Sequence, residues 1–245
     1  PLLDLIGLSC FGFDRTKWQV LIGYLPFPDE ALHLWFGFLD PRLSLYDPGL
    51  AERLKANRVF MIVSGTMNRT TEEVAKVREA LGGRCAGVYD RVPSHTPRES
   101  VLQVAREARA AEADLIVTFG GGSVTDAGKM VQLCLRHNIT EYDQLDAYHV
   151  VVNADGSNTQ PAFDGPKVRQ IAIPTTLSGG EFQHQGGCTD TRRKLKQSFR
   201  HPLHIPRVSI LDPAPTVHTP LWVWLSTGMR AVDHATEALC SHTSN

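Results

Sequence analysis

The feature that most limits what this chain can fold into is a threefold alternation of short apolar runs with amphipathic stretches across residues 58–139. "RVFMIVS" is apolar and β-branched, and "TTEEVAKVREAL" follows with Val74, Val77 and Leu81 at helical spacing, with Thr70 or Thr71 as N-cap. "CAGVYD" then predicts a second strand and "TPRESVLQVAREARAAEA" a second helix, with Pro97 near its start. "DLIVTFGGGSVTDAGKMVQLCLRHNI" supplies a third strand, a glycine turn and a third helix. Strands that alternate with helices in this way predict an α/β fold, a mostly parallel sheet covered by helices. Further on, "RQIAIPTT" and "RVSILDP" predict two more strands, with a hairpin over "GGCTDTRRKLKQSF" between them. The polar stretch "NADGSNTQPAFDGPK" predicts an excursion from the sheet, and helical patterning takes over after Pro213. The expected organisation is a segment of unclear structure over 1–45, an α/β domain over 46–212, and the beginning of a helical domain over 213–245.

The glycine turn carries the first chemical signal. Gly120, Gly121, Gly122 and Ser123 stand between a buried strand and a helix. The amides that open a helix lack intrahelical partners and lie at its positive end, so an anion such as a pyrophosphate is favoured there. A plain tight strand–helix turn is the alternative. The dinucleotide fingerprint G-x-G-x-x-G is absent, and the turn follows the third strand where that fingerprint follows the first. A second anchor is "IPTTLSGGEF", where Thr175 and Thr176 end a strand at the edge where open α/β sheets bind ligands. A simple strand cap would look the same.

Composition excludes several classes. A net charge of −1 offers no field for nucleic acid or anionic lipid. Five scattered cysteines, with no C-x-x-C pair, argue against a zinc ribbon or a disulfide scaffold and fit a reduced, cytoplasmic protein. The opening "PLLDLIGLSCFGFDRTKW" is a poor signal peptide, because Asp4 interrupts it and no basic segment precedes it.

Taken together, "GGGSVTDAGK", "IPTTLSGGE", "CTDTRRKLK", "RVSILDPAPT" and "TGMRAVDHATEAL" resemble the iron-containing (group III) alcohol dehydrogenase family over residues 47–245. The resemblance implies an α/β dinucleotide-binding domain followed by an all-helical domain, with metal and substrate between them. It implies an oxidoreductase that transfers hydride between NAD or NADP and a small carbonyl, enone acid or alcohol. Gly121, Gly122 and Ser123 would hold the cofactor pyrophosphate, Asp126 would lie near the cofactor, and Thr175 and Thr176 would line its nicotinamide half. Within the family the maleylacetate reductases are most similar, sharing the short loop read here as "TTLSGGE". A catalytically incompetent dinucleotide-binding remnant is the alternative.

The departures from the family pattern concern the metal. Family chains carry an aspartate and, four residues on, a histidine on one helix face, both ligands. Here His234 is kept and the aspartate position is Arg230, whose guanidinium has no lone pair to donate. His234 is then a doubtful metal ligand, and iron or zinc is expected to bind weakly or not at all. Arg230 and His234 are the candidate catalytic residues, Arg230 replacing the metal's charge; an ion pair with Asp233 or Glu237 is the competing reading. His184, His201, His204 and His218 read as loop or packing residues, Lys196 as solvated charge, and Trp222 and Trp224 as packing at a domain junction.

Cofactor choice stays open at the sequence level. Gly65 stands where an acidic residue would bond the ribose 2′-hydroxyl, which admits NADP with Arg69 near in sequence, while Asp90 keeps NAD in play. The chain has no initial Met and ends after the first helix of the helical domain, so a fragment is expected, with Met229, Val232, Ala235 and Leu239 uncovered. A homo-oligomer, as a dimer, with a small-molecule substrate and neither nucleic acid nor membrane as partner, completes the expectation.

Overall fold

The computed structural model describes residues 55–240, so the expectations for 1–45 and for the end of the chain lie outside the described residues. A five-stranded sheet runs in the order β2 (Cys85–Tyr89), β1 (Val59–Val63), β3 (Leu115–Gly120), β6 (Arg169–Pro174) and β9 (Val208–Ser209), with every neighbouring pair parallel. Parallel neighbours need crossovers, and helices provide three of them. These are α1 (Gly65–Thr70) with α2 (Glu73–Leu81), α3 (Arg98–Ala110), and α4 (Gly122–Arg136) leading into the excursion. Two antiparallel hairpins stand outside the sheet, β4 (Val151–Val152) with β5 (Asn158–Thr159), and β7 (Gln185–Asp190) with β8 (Leu195–Arg200). A final helix, α5, spans Leu221–Cys240.

Both faces of the sheet are covered, which is why its central strands read as unbroken apolar runs rather than alternating ones. β1 divides by parity: Phe60 and Ile62 join Val101, Val104, Ala105 and Val131 on one face, while Val59, Met61 and Val63 join Met67, Val74 and Val77 on the other. β3 divides likewise, with Ile116 on the first face and Leu115, Val117 and Phe119 on the second. Burial of each such side chain contributes roughly 1.5–3 kcal/mol.

The register sets the ligand edge. Val63 lies opposite Phe119 and Gly120 opposite Pro174, so the C-terminal ends of β1, β3 and β6 are level. β1 leads outward to β2 and β3 leads the other way to β6, making the gap between β1 and β3 the topological switch point, where open α/β sheets take ligands. Among the described residues no helix is long and apolar enough to cross a membrane.

Two details differ from expectation. The segment after β1 runs directly into the short helix α1, with Ser64 as N-cap accepting from the Met67 amide, and α2 starts at Glu73 with Thr71 Oγ1 accepting from that residue's amide. Trp222 is exposed rather than packed among the described residues.

Candidate functional site

Three strand ends converge at the switch point. The Thr175 amide donates to the Gly120 carbonyl at 3.0 Å, and the Ser64 amide donates to the Phe119 carbonyl at 2.8 Å, tying the segments that leave β6 and β1 to the end of β3. The glycine turn and the threonine loop are in direct contact. A Cβ on Gly121 would stand 3.1 Å from Thr176 Cγ2, and one on Gly122 would stand 2.9 Å from Ser178 Oγ. A side chain at either glycine would crowd the threonine loop and force its side chains to give way. Gly121 is the N-cap of α4, whose first turn begins at Gly122, so the start of this 15-residue helix, where amides lack intrahelical partners, lies against the cradle formed by Thr176 and Ser178.

Of the predicted cofactor residues, Gly121, Gly122, Thr175 and Thr176 are therefore brought together. Thr175 is buried and serves through its main chain, its carbonyl also accepting from Thr219 Oγ1 at 2.7 Å. Ser123 adjoins them, but its hydroxyl faces the loop before α3: Oγ accepts from the His95 amide at 3.0 Å, and its carbonyl accepts from Thr96 Oγ1 at 3.0 Å. His95 and Thr96 both have positive φ, 64° and 51°, a conformation L-residues seldom adopt. Their bonds to Ser123 and to Thr189 hold them there.

Asp126 lies one turn further along α4, turned toward the β7–β8 hairpin. The Gly187 amide donates to it and Lys129 Nζ stands 3.8 Å from Oδ1. Burial raises its carboxyl above the ordinary value, against the pull of Lys129 and Lys196. Lys129 itself is fully buried and donates to the Gly180 carbonyl at 2.6 Å and the Gln185 carbonyl at 2.8 Å. Burial lowers its pKa, opposed by the charges of Asp126 and Glu181. Burial also raises Glu181, whose Oε2 is buried and has no hydrogen-bond partner among the described residues. Sequence reasoning passed over Lys129, although it sits inside "GGGSVTDAGK", because a lysine on a helix normally reads as solvated. Its spacing of three from Asp126 on one helix face was the available signal.

The α5 residues stand apart from the cradle. Thr227 Oγ1 accepts from the Leu177 amide at 3.1 Å and fixes the helix to the threonine loop. Beyond that tie, Arg230 Nη1 donates to Asp233 Oδ2 at 2.8 Å, an exposed i,i+3 pair, as the competing reading of that residue had it. His234 is half-buried on the same helix. Among the described residues no group of three or more His, Cys, Asp or Glu side chains is placed to hold a metal ion. The described donors thus do not make up a metal site, whereas the cradle at Gly121 and Gly122 suits a phosphate.

Comparison with known proteins fits this geometry. The profile of the iron-containing alcohol dehydrogenases matches residues 48–213. The chain belongs to that family. Among curated relatives, the dehydrogenase ALT3 of Alternaria alternata is 38% identical over 179 residues, covering 73% of this chain and 45% of its own length. The dehydrogenase FUM7 of Gibberella moniliformis is 34% identical over 194 residues, covering 77% and 45%. Among solved structures, the maleylacetate reductase of Agrobacterium tumefaciens superposes with a TM-score of 0.61 at 27% identity, covering 81% of this chain and 46% of that one. The chain thus spans a little under half the length of these relatives.

Proposed function

We propose that the chain is the dinucleotide-binding part of an NAD(P)-dependent oxidoreductase of the maleylacetate reductase type, acting on a small carbonyl, enone acid or alcohol. In this reading residues 46–212 are the dinucleotide-binding domain and 213–245 begin the helical one. The observation that carries it is the contact of Gly121 and Gly122 with Thr176 and Ser178 at the switch point of a parallel sheet. The bound nicotinamide would supply the hydride chemistry. The chain's own residues bind and orient: the α4 amides take the pyrophosphate, and Thr176 bounds the nicotinamide half. Lys129, bonded to two carbonyls of the 180–185 loop, keeps that loop against α4. The described His, Cys, Asp and Glu side chains do not assemble a metal site.

Binding without turnover is the second reading, favoured by Arg230, which is neutralised by Asp233 in the position of a family ligand. Titration of NADH and NADPH fluorescence tests the proposal. Gly121→Val places a side chain against Thr176 and is expected to weaken binding by at least about tenfold, with Ser123→Ala affecting it less. Equal affinity in wild type and Gly121→Val, with circular dichroism showing both folded, would refute the site. Turnover of maleylacetate or a simple aldehyde separates the two readings.

A further inference from the structure

We infer that Gly65 and Arg69 select the phosphorylated dinucleotide, with the Arg69 guanidinium receiving the 2′-phosphate of NADP(H). This rests on the proposal that the chain binds a nicotinamide dinucleotide. In open sheets of this kind, an acidic residue beyond the strand that starts the nucleotide unit bonds the ribose 2′-hydroxyl, and its charge repels a 2′-phosphate. Here β1 ends in Ser64 and Gly65, side by side with the glycine turn: a Cβ on Gly120 would stand 3.2 Å from Ser64 Cβ.

The position is closed to an acid as well as lacking one. A Cβ at Gly65 would run into the main-chain carbonyl oxygen of Asp90 and would come within 2.9 Å of Arg69 Nη1. The guanidinium therefore borders the space that any side chain at position 65 would have to enter. Arg69 lies in the last turn of α1, is exposed, and forms no ion pair with a carboxylate among the described residues. The remaining acid on this edge is Asp90, just after β2, which is the other group able to bond a ribose hydroxyl. Its Oδ2 is engaged by Asn68 Nδ2 at 2.8 Å. One short helix thus does two things: Asn68 holds one oxygen of that carboxylate, and Arg69 offers planar donors that suit a phosphate bidentately and have no carboxylate partner among the described residues.

Calorimetric titration of the 245-residue chain with NADPH, NADH, 2′,5′-ADP and 5′-AMP tests the inference. NADPH is expected to bind about tenfold or more tightly than NADH, and 2′,5′-ADP more tightly than 5′-AMP, as expected for one charge-assisted contact. Arg69→Ala should weaken NADPH by about that factor and leave NADH within about twofold, and Arg69→Lys should restore part of the difference. Arg69 is exposed, so the thermal midpoint of Arg69→Ala should match the wild type and exclude unfolding as the cause. NADH bound as tightly as NADPH, or both weakened alike by Arg69→Ala, overturns the selection and leaves the dinucleotide reading standing. Binding of neither dinucleotide overturns both.

Discussion

His204 sits fully buried against the rings of Phe163 and His201, at centroid separations of 5.9 and 5.7 Å, and neither of its ring nitrogens makes a hydrogen bond of good geometry among the described residues, the Phe199 main chain being a weak polar neighbour. Burial, helped by the charges of His201, Lys129 and Arg169, pushes its pKa down to about 3. In the unfolded chain a histidine titrates near about 6.5. Between those values the unfolded state takes up a proton that the folded state refuses. Stability is therefore complete above the unfolded value and declines as the pH falls, by at most about 1.4 kcal/mol per pH unit from this group. His204→Phe, similar in size and beside Phe163, is expected to flatten that decline. Urea midpoints at about pH 7 and pH 5 measure it; the same drop in wild type and variant would clear His204 of the effect.

At the scale of elements, the β7–β8 hairpin is held to the domain by a buried guanidinium. Arg98, at the start of α3, is fully buried and donates to Gln197 Oε1 through Nε at 3.1 Å, to the Tyr142 carbonyl at 3.0 Å and to Asp146 Oδ1 at 2.7 Å. Arg193 forms a second tie, donating to both Asp146 oxygens and to Asp190 Oδ2 at 2.8 Å each. Its hydrogen bonds hold the Asp146 carboxyl well below the usual carboxylate range. Removing one partner of a buried ionic network leaves the others uncompensated, so Arg98→Met is expected to cost about 3–5 kcal/mol. Guanidinium denaturation checks it; a loss under about 1 kcal/mol would mean the network adds little beyond surface pairing. The elements themselves were legible in unequal measure. β1, β3, β6, α3 and α4 declared themselves by apolar runs or helical spacing, because tertiary burial and local pattern agree there. α1 did not, since six residues are too few to show a period. The ionic network did not either, because Arg98, Tyr142, Asp146 and Asp190 meet only after the chain has folded. The glycine turn and the threonine loop were legible as separate motifs, while their contact, and the guanidinium over Gly65, belong to the tertiary structure.

For the molecule as a whole, α5 is only loosely joined to the core, through the bond between Thr227 and the Leu177 amide. Met229, Val232 and Leu239 are exposed on it, as the sequence pattern led one to expect. A first-row metal site draws about three or four donors together, and the described residues offer no such convergence. The purified chain is expected to carry no stoichiometric iron or zinc. Elemental analysis after purification without chelator decides this, and a full equivalent lost on His234→Ala would show that the helix does contribute a ligand. The level strand ends have one more consequence. Ser64, Gly121 and Thr176 come from widely separated parts of the chain and meet only when β1, β3 and β6 are all paired. On the proposed function, a partly unfolded form that has released any one of those strands would keep no binding site. A nucleotide bound as proposed would then act by mass action as a thermodynamic lock on the entire sheet, worth about 2.7 kcal/mol at a ligand concentration of about a hundred times Kd. In a cell, the supply of nucleotide would thereby set how often this sheet opens to proteases.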